Sequence, residues 1–509
     1  MPDWFIPEYA LQLSMALPLI AMALVFLTGE RLRNVRDSLT VVMGIATFAT
    51  VCTLVQPVMA GARPRVAWLY ILPNIPISFE LEPLGLVFAL VASGLWIVTS
   101  LYGFGYMRGH HEKNQTRFFM CFAVAIFAAL GIAYARNLVT LFLFYEVLTF
   151  STYPLVTHHG TAKAKTAGRI YLGVLVFTSV TLLLAAIIWT WQLTGSMDFT
   201  PGGILDGKVS GGMAAVLLGL FAFGTGKAGL MPFHRWLPNA MVAPTPVSAL
   251  LHAVAVVKAG VFTVLKVVIY IFGVDFLADT GASDWLMWAA TFTLVAASII
   301  ALTKDNLKAR LAYSTVSQLA YIVLAGALAN ELAAIGGGMH IAMHAMGKIT
   351  LFFVAGAIYV AAHKTDISDM DGIGRQMPWT MAAFFIGSLS IIGLPPTGGS
   401  WSKWFMGLGA ADGGNSFFIA IYMLSSLLSI AYLMPVVARG FFFAPKPSAH
   451  GHGHDDAHGH KGGHHDPPGR IREPLLLCGP PVITAIGCLA LFIFAPQLQA
   501  LLATIQWGG

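Results

Sequence analysis

Long apolar stretches alternate with short polar segments along almost the whole chain. Because a helix needs about 20 mainly apolar residues to cross a bilayer, this pattern predicts about fourteen transmembrane helices. They cover approximately residues 9–28, 38–60, 84–105, 117–134, 137–157, 169–193, 213–233, 245–272, 285–303, 310–329, 332–362, 378–396, 401–443 and 474–505. The thirteenth stretch is too long for one helix, so we assign residues 401–407 to the end of the twelfth helix.

One segment between the second and third helices departs from this pattern. Residues 61–83 are amphipathic, contain Pro73 and Pro76, and alternate apolar and polar positions. Such alternation is typical of a strand rather than a helix. We therefore expect an ordered external loop here.

The composition supports a membrane protein. Of 509 residues, 57% are hydrophobic and only 10% are charged, whereas a soluble domain has about 25% charged residues. The chain is therefore predicted to be an all-α polytopic membrane protein. Its four cysteines lie in or beside apolar stretches without metal-ligand spacing, which indicates small core residues. The basic residues are scattered over loops, which does not indicate a nucleic-acid partner.

The positions of lysine and arginine predict the orientation. With the N-terminus outside, the cytoplasmic loops hold most of the 29 basic residues and the external loops hold few. Cytoplasmic loops of membrane proteins carry this excess. We therefore expect a multi-pass membrane protein with both termini on the external side, which is the periplasmic side if the membrane is a bacterial inner membrane.

Few ionisable groups lie within the predicted helices. They are one carboxylate, Glu146, and five lysines: Lys227, Lys258, Lys266, Lys348 and Lys403. Ionisable groups inside a bilayer are costly and usually mark an ion or proton pathway. Burial can make lysine release its proton, whereas arginine stays charged. The pattern predicts proton or cation transport, with Lys266 interpreted as an anchor near the end of its helix.

Two helices are predicted to be broken. The seventh reads GTGKAGLMP from Gly224 to Pro232, and the twelfth reads GLPPTGGSWSK from Gly393 to Lys403. Proline and glycine interrupt helices, and paired interruptions in two halves indicate an ion site within inverted repeats. We expect five-helix repeats in this domain order: N-terminal helices at 1–105, a first repeat at 106–272, a second at 273–447, a cytoplasmic loop at 448–470 and a last helix at 471–509.

Histidines accompany the lysines in two helices. His340, His344 and Lys348 recur at every fourth position and therefore share one helix face. His252 and Lys258 lie together in the eighth helix. These groups predict a proton path bridged by water molecules, and Lys227 is the expected partner of Glu146. His234, at the cytoplasmic end of the seventh helix, is a candidate for proton entry.

The cytoplasmic loop carries a separate histidine cluster. Its seven histidines stand among glycine and aspartate, a composition that can bind zinc, nickel or copper loosely. They are His450, His452, His454, His458, His460, His464 and His465. The segment has no fixed ligand spacing and no apolar content, so we interpret it as a linker and only a weak metal-site candidate.

Four long motifs resemble one known family. They are KAGLMPFHRWLPN at 227–239, APTPVSALLHA at 243–253, DNLKARLAYSTVSQLAY at 305–321 and the stretch 344–356. The chain resembles, over roughly residues 85–440, the antiporter-like subunits shared by respiratory complex I and the multisubunit (Mrp-type) cation/proton antiporters. Its length suits an antiporter D or complex I M/N subunit, whereas HAVAVVKAG resembles the L/A branch.

The resemblance implies a role for each matching position. Glu146 is similar to the fifth-helix glutamate that pairs with the seventh-helix lysine, Lys227, and Lys403 to the residue near the exit on the broken twelfth helix. The central relay would comprise His252, Lys258, His340, His344 and Lys348. One departure is Asn239, where the family usually has aspartate.

The resemblance also leaves several functions open. A monovalent cation (Na+)/proton antiporter subunit of the D type is the preferred interpretation. The alternatives are a proton-pumping subunit of an NADH-quinone oxidoreductase or membrane-bound hydrogenase, a subunit of a CO2-hydrating complex, and a scaffold without transport. No cofactor is expected in this chain, so any redox enzyme activity would lie in partner membrane subunits. The expected ligands are protons and Na+.

Overall fold

The computed structural model describes residues 6–72, 75–444, 471 and 473–507. The histidine-rich loop predicted at 448–470, with its weak metal-site candidates, lies outside them. The longer helices are α1 Pro7–Thr28, α2 Arg33–Met59, α3 Pro83–Gly109, α4 Gln115–Tyr134, α5 Leu138–Val156, α6 Ala162–Thr194, α7 Gly211–Gly224, α8 Thr245–Phe272, α9 Asp284–Leu302, α10 Leu307–Ala327, α11 Glu331–Ala362, α12 Pro378–Ile392, α13 Gly399–Asp412, α14 Ser416–Phe442, α15 Leu475–Ile493 and α16 Ala495–Leu502. Short helical turns lie at Gly226–Ala228, Trp236–Asn239, Ala240–Val242, Val274–Thr280, Ile367–Asp369 and Ile373–Gln376.

Most of these helices suit a bilayer. Within the described residues, eleven helices are long and apolar enough to cross a membrane, and α7 and α12 are shorter apolar helices. The chain is a multi-pass membrane protein, as predicted. The total of fourteen spans stays a prediction, because α10 and α13 are neither among the eleven long apolar helices nor among the shorter apolar ones.

The core is built around α8 and α11. The most apolar 18-residue stretch of α8 is completely buried inside the protein, and the corresponding stretch of α11 is 72% buried. A helix that is apolar on all sides is enclosed by its neighbours, so protein rather than lipid surrounds α8. The outer helices instead expose large apolar side chains, such as Phe26, Leu27 and Phe442, to the surroundings of the bundle.

Two strands are the exception to the helical architecture. β1 (Arg65–Leu72) and β2 (Ile75–Glu80) pair antiparallel, with Arg65 opposite Glu80. This hairpin agrees with the strand-like alternation predicted for residues 61–83. It is fastened to α5, because the Ser78 N–H donates to the Thr140 hydroxyl at 3.1 Å.

The first predicted break is present after α7. The helix ends at Gly224, and a 3-10 turn at Gly226–Ala228 follows. Backbone groups released within a membrane need partners inside the protein. The Lys227 N–H donates to the Tyr145 hydroxyl at 3.1 Å, and the Trp236 indole N–H donates to the Gly226 carbonyl at 3.0 Å. At Gly260 of α8, any Cβ would collide with the backbone of this turn, so α8 packs directly against the break.

The second predicted break separates α12 from α13. α12 ends at Ile392, and the Lys403 ammonium of α13 donates to the carbonyls of Ile391 at 2.9 Å and Ile392 at 3.0 Å. Gly393 has a φ of +91°, a conformation that favours glycine. A Cβ there would also lie 2.6 Å from Lys403 Cδ. Both interruptions are therefore found, while the inverted repeat and the domain boundaries stay predictions.

Candidate functional site

The first charged site lies where α7 breaks. Lys227 is fully buried, and its ammonium donates to the Tyr145 carbonyl at 2.9 Å and the Thr149 hydroxyl at 2.6 Å. It also lies 3.1 Å from the centre of the Tyr145 ring. All of these contacts come from α5, which therefore holds the ammonium group in place.

Glu146 is not paired with Lys227 in this conformation. The hydrogen bonds of the ammonium go to Tyr145 and Thr149 instead, and Glu146 Oε1 is buried without a hydrogen-bond partner. Successive residues of a helix are turned by about 100°. Tyr145 and Thr149 lie on the face of α5 that contacts Lys227. Glu146 is therefore turned by about 100° from Tyr145 around the helix axis, away from that face. The direct pair predicted from the sequence is therefore absent from this structure.

The centre of the bundle contains a direct lysine–histidine contact. Lys258 of α8 hydrogen-bonds His344 Nδ1 of α11. The His344 ring stacks on His340, with centroids 5.7 Å apart and an angle of 17° between the planes. His340 bonds the Ser402 hydroxyl at 2.8 Å and the Gln318 side-chain oxygen at 3.1 Å. Buried polar groups in contact thus run from α8 through α11 to α13, with hydrogen bonds at both ends and a ring-stacking contact between the two histidines, where His344 Nε2 has no hydrogen-bond partner.

Tyr321 joins this chain to Lys403. Its ring stacks on His340 at 5.7 Å, and its hydroxyl lies 3.4 Å from the Lys403 ammonium. Ser426 of α14 accepts from the same ammonium at 3.0 Å. Tyr321 is not among the candidates predicted from the sequence, although it lies in the motif DNLKARLAYSTVSQLAY.

Lys348 lies on the same helix as His340 and His344, but its side chain extends to a different neighbouring helix, α10. Its ammonium donates to the Ser314 hydroxyl at 2.5 Å. Ser314 in turn contacts the Tyr432 hydroxyl at 2.8 Å, which lies 2.9 Å from the Ser429 hydroxyl. Lys348 therefore begins a branch of hydroxyl groups between α11 and α14 and does not continue the histidine stack.

The two remaining candidates have free ring nitrogens. His252 lies in a π-helical turn of α8 at Leu250–Val254, a feature that is frequent at functional sites. Both of its ring nitrogens are buried without a hydrogen-bond partner, as is Nδ1 of His234. The His252 ring lies 4.8 Å from that of Phe352. No hydrogen bond joins either histidine to Lys227 or Lys258.

Lys266 is enclosed by protein and does not extend to the outer surface of the bundle. Its side chain is 1% exposed, and its ammonium lies 3.3 Å from Glu82 Oε1 and 2.9 Å from the Ala135 carbonyl. Glu82 also accepts from the N–H groups at the start of α3 and from the Tyr270 hydroxyl at 3.0 Å. The anchor interpretation was wrong, because Glu82 lies two residues before the predicted third span and was not counted as a partner.

We expect the Lys266–Glu82 pair to be essential for stability. Breaking a buried pair by removing one partner costs about 3–5 kcal/mol, so Glu82→Ala should lower the unfolding temperature of the purified protein markedly. Glu80→Ala is the matched control, since Glu80 pairs with the half-exposed Arg65 and Arg136, and such surface pairs contribute about 0.2–1 kcal/mol. Equal losses in the two variants would contradict a special role for the buried pair.

Comparison with known proteins identifies the family. Residues 135–429 match the family described as "NADH:quinone oxidoreductase/Mrp antiporter, TM". Residues 68–119 match a second family, described as "NADH-Ubiquinone oxidoreductase (complex I), chain 5 N-terminus". NADH-quinone oxidoreductase subunit N of Desulforudis audaxviator is 29% identical over 483 residues, or 91% of this chain and 93% of the relative. Hydrogenase-4 component B of Escherichia coli is 32% identical over 347 residues, or 65% of this chain and 50% of the relative.

Solved structures share the fold over almost the whole chain. A chain in the structure of the Mrp complex from Dietzia sp. DQ12-45-1b superimposes with a TM-score of 0.83 at 22% identity, covering 99% of this chain and 97% of that one. A chain of the archaeal membrane-bound sulfane sulfur reductase gives 0.82 at 22% identity, covering 98% and 96%. With the family match extending over more than half of its length, this chain belongs to the NADH:quinone oxidoreductase/Mrp antiporter family of transmembrane subunits.

Proposed function

We propose that this chain is the proton-translocating subunit of a multisubunit membrane complex, namely a D-type subunit of a monovalent cation (Na+)/proton antiporter. The observation that carries the proposal is the chain of buried polar contacts from Lys258 through His344 and His340 to Lys403. Ionisable groups within membrane helices are costly to bury, and where they occur they usually mark an ion or proton pathway. A chain of such contacts offers a route for protons through an otherwise apolar core.

The proposed route extends from Lys227 at the first helix break to Lys403 at the second, and each of these lysines acts as a switch. At the first break, Lys227 exchanges between the Tyr145 and Thr149 acceptors and the neighbouring Glu146 carboxylate. Pairing with Glu146 favours the charged lysine, and separation favours release of its proton. At the second break, Lys403 delivers the proton beside Ser426 and the carbonyls that end α12. Motion of the charge pair would couple this subunit to neighbouring subunits.

The relatives favour one alternative function. The alignment with the NADH-quinone oxidoreductase subunit N extends over 93% of that protein. A redox-driven pump would use the same lysine–histidine route, with the electron-transfer chemistry in partner subunits. The orientation with both termini outside a bacterial inner membrane belongs to either proposal.

A carboxylate substitution tests the proposal. Glu146→Gln keeps the shape of the side chain and removes its charge, so proton movement by the whole complex in vesicles should fall about tenfold, equivalent to about 1.4 kcal/mol. Glu331→Gln, at an exposed carboxylate in the first turn of α11, should leave the rate unchanged.

The same vesicles separate the two sources of energy. A sodium gradient that drives proton movement without a reductant supports antiport, whereas a strict need for a reductant and quinone supports the redox alternative. Normal assembly with unchanged proton movement in Glu146→Gln would refute the role of this carboxylate.

A further inference from the structure

Three histidines surround one carboxylate outside the membrane helices. Glu112 lies between α3 and α4, and its oxygens lie 3.0 Å from His159 Nε2, 3.7 Å from His158 Nε2 and 4.0 Å from His110 Nε2. We name these four residues the Glu112 cluster. The transport route described above uses none of them. His159 also contacts the Val242 carbonyl at 3.2 Å through Nδ1, so the cluster reaches the loop that precedes α8.

The cluster combines groups that hold protons with different strengths. Burial raises the pKa of Glu112, but the hydrogen bond from His159 and the charges of the three histidines outweigh it, so the pKa is lowered overall. The hydrogen bond with Glu112 raises the pKa of His159 against the effect of burial, and burial lowers that of His158 against the attraction of Glu112. The other charged groups that act on the two rings are Lys308 and Arg117.

The directions of these pKa shifts define the pH range in which Glu112 and His159 attract each other. The attraction between charged His159 and ionised Glu112 is lost below the lowered pKa of Glu112 and above the raised pKa of His159. Between these limits His159 holds its proton, while the neighbouring His158 binds a proton more weakly and gives it up more readily. Histidines titrate close to neutral pH, so the cluster can load and release protons under ordinary cellular conditions.

A cavity lies directly behind His159. It has a volume of about 220 Å³, and its lining includes Tyr106, His159, Thr245, Lys308 and Tyr359. The Lys308 ammonium donates to the Ala243 carbonyl at 2.8 Å. The side chain of His159 is about one-third exposed and also lines the cavity, so this ring is accessible from solution and from the cavity.

Unpaired polar groups continue from the cavity into α8. Thr245 begins the helix, Ser248 lies one turn further and His252 one turn beyond. The Ser248 hydroxyl and both ring nitrogens of His252 are fully buried without a hydrogen-bond partner. Buried polar groups are normally paired, and each exception needs an explanation. Three unpaired atoms, one of Ser248 and two of His252, therefore follow the cavity along the first two turns of α8.

We propose that the Glu112 cluster collects protons from solution and supplies them through this cavity to His252, a role that rests on the proposed proton transport. A buffer acid transfers its proton to a carboxylate or ring nitrogen of the cluster, and His159 releases a proton on the cavity side. A ring nitrogen of His252 accepts it, and no other bond changes. A cleft lined by charged groups raises the rate of encounter with an ionic substrate.

Dependence on mobile buffer distinguishes collection from a structural role. We would reconstitute the whole complex with Glu112→Gln or His159→Gln and measure proton uptake at the side that carries the cluster. At low buffer concentration the rate should fall about tenfold. A high concentration of imidazole buffer should restore it, since the buffer delivers protons directly. His111→Gln is the matched control, because His111 is an exposed histidine of the same loop and should behave as the wild type.

Each outcome decides the proposal. A loss of rate that imidazole does not restore would show that the cluster has only a structural role. Wild-type rates at low buffer concentration in both variants would show that the cluster does not collect protons. Either result overturns the proposal. If the wild-type complex itself moves no protons, the proposed function fails and the collecting role fails with it. Loss at low buffer with recovery at high buffer supports both.

Discussion

Substitution of Lys227 by either alanine or arginine is expected to lower proton movement about 10²-fold or more. Positioned groups that give and take protons typically contribute 10²–10⁴-fold to a rate. Alanine removes the ammonium that binds the Tyr145 carbonyl and the Thr149 hydroxyl. Arginine keeps the positive charge but cannot release a proton, so it tests whether exchange of the proton matters rather than charge alone.

Vesicles that contain the whole complex provide the measurement. Lys165→Ala is the matched control, since Lys165 is exposed in the first turn of α6, and its rate should equal that of the wild type. Near-normal transport in the arginine variant would show that Lys227 acts only as a fixed charge. That result would exclude it from the proton route while leaving the rest of the route open.

Substitution of Lys258 by methionine should have a similar effect on transport with little effect on folding. Methionine is unbranched and adaptable and carries no amino group, so the packing of α8 is retained. The loss of the contact with His344 interrupts the proposed route between the two helix breaks, and proton movement should fall about 10²-fold.

Stability should change little in this variant, because two effects oppose each other. Removing a fully buried amino group relieves the cost of its burial, while His344 loses a partner at a cost of about 1–3 kcal/mol. We expect the unfolding temperature of the purified complex to move by less than about 4 °C. Lys163→Met, at an exposed position, serves as control. Transport that survives in Lys258→Met would mean that protons bypass the lysine–histidine contact.

The course of the main chain could be predicted closely from the sequence. The expected span 245–272 agrees with α8, and 332–362 differs from α11 by one residue. Both breaks also lie where glycine and proline cluster. Apolar length and helix-breaking residues are local properties, so no knowledge of the neighbouring helices was needed.

The partners of the charged side chains could not be predicted in the same way. The spacing of His340, His344 and Lys348 places them on one face, but it does not say which helix meets each group. The two histidines stack, whereas the long Lys348 side chain turns to Ser314. Such choices depend on tertiary packing, and they also explain why Glu82 and Tyr321 were missed.

The carbonyls at the end of α12 place a further condition on Lys403. The end of a helix carries a partial negative charge on its unpaired carbonyls, and the Lys403 ammonium is the cap that neutralises it at Ile391 and Ile392. This cap can lose its charge, unlike an arginine cap. Linkage between two equilibria is reciprocal: whatever straightens or displaces the end of α12 must alter proton affinity at Lys403, and each departing proton must loosen the helix terminus. A neighbouring subunit that presses on α12 could therefore set the moment of proton release without touching the lysine.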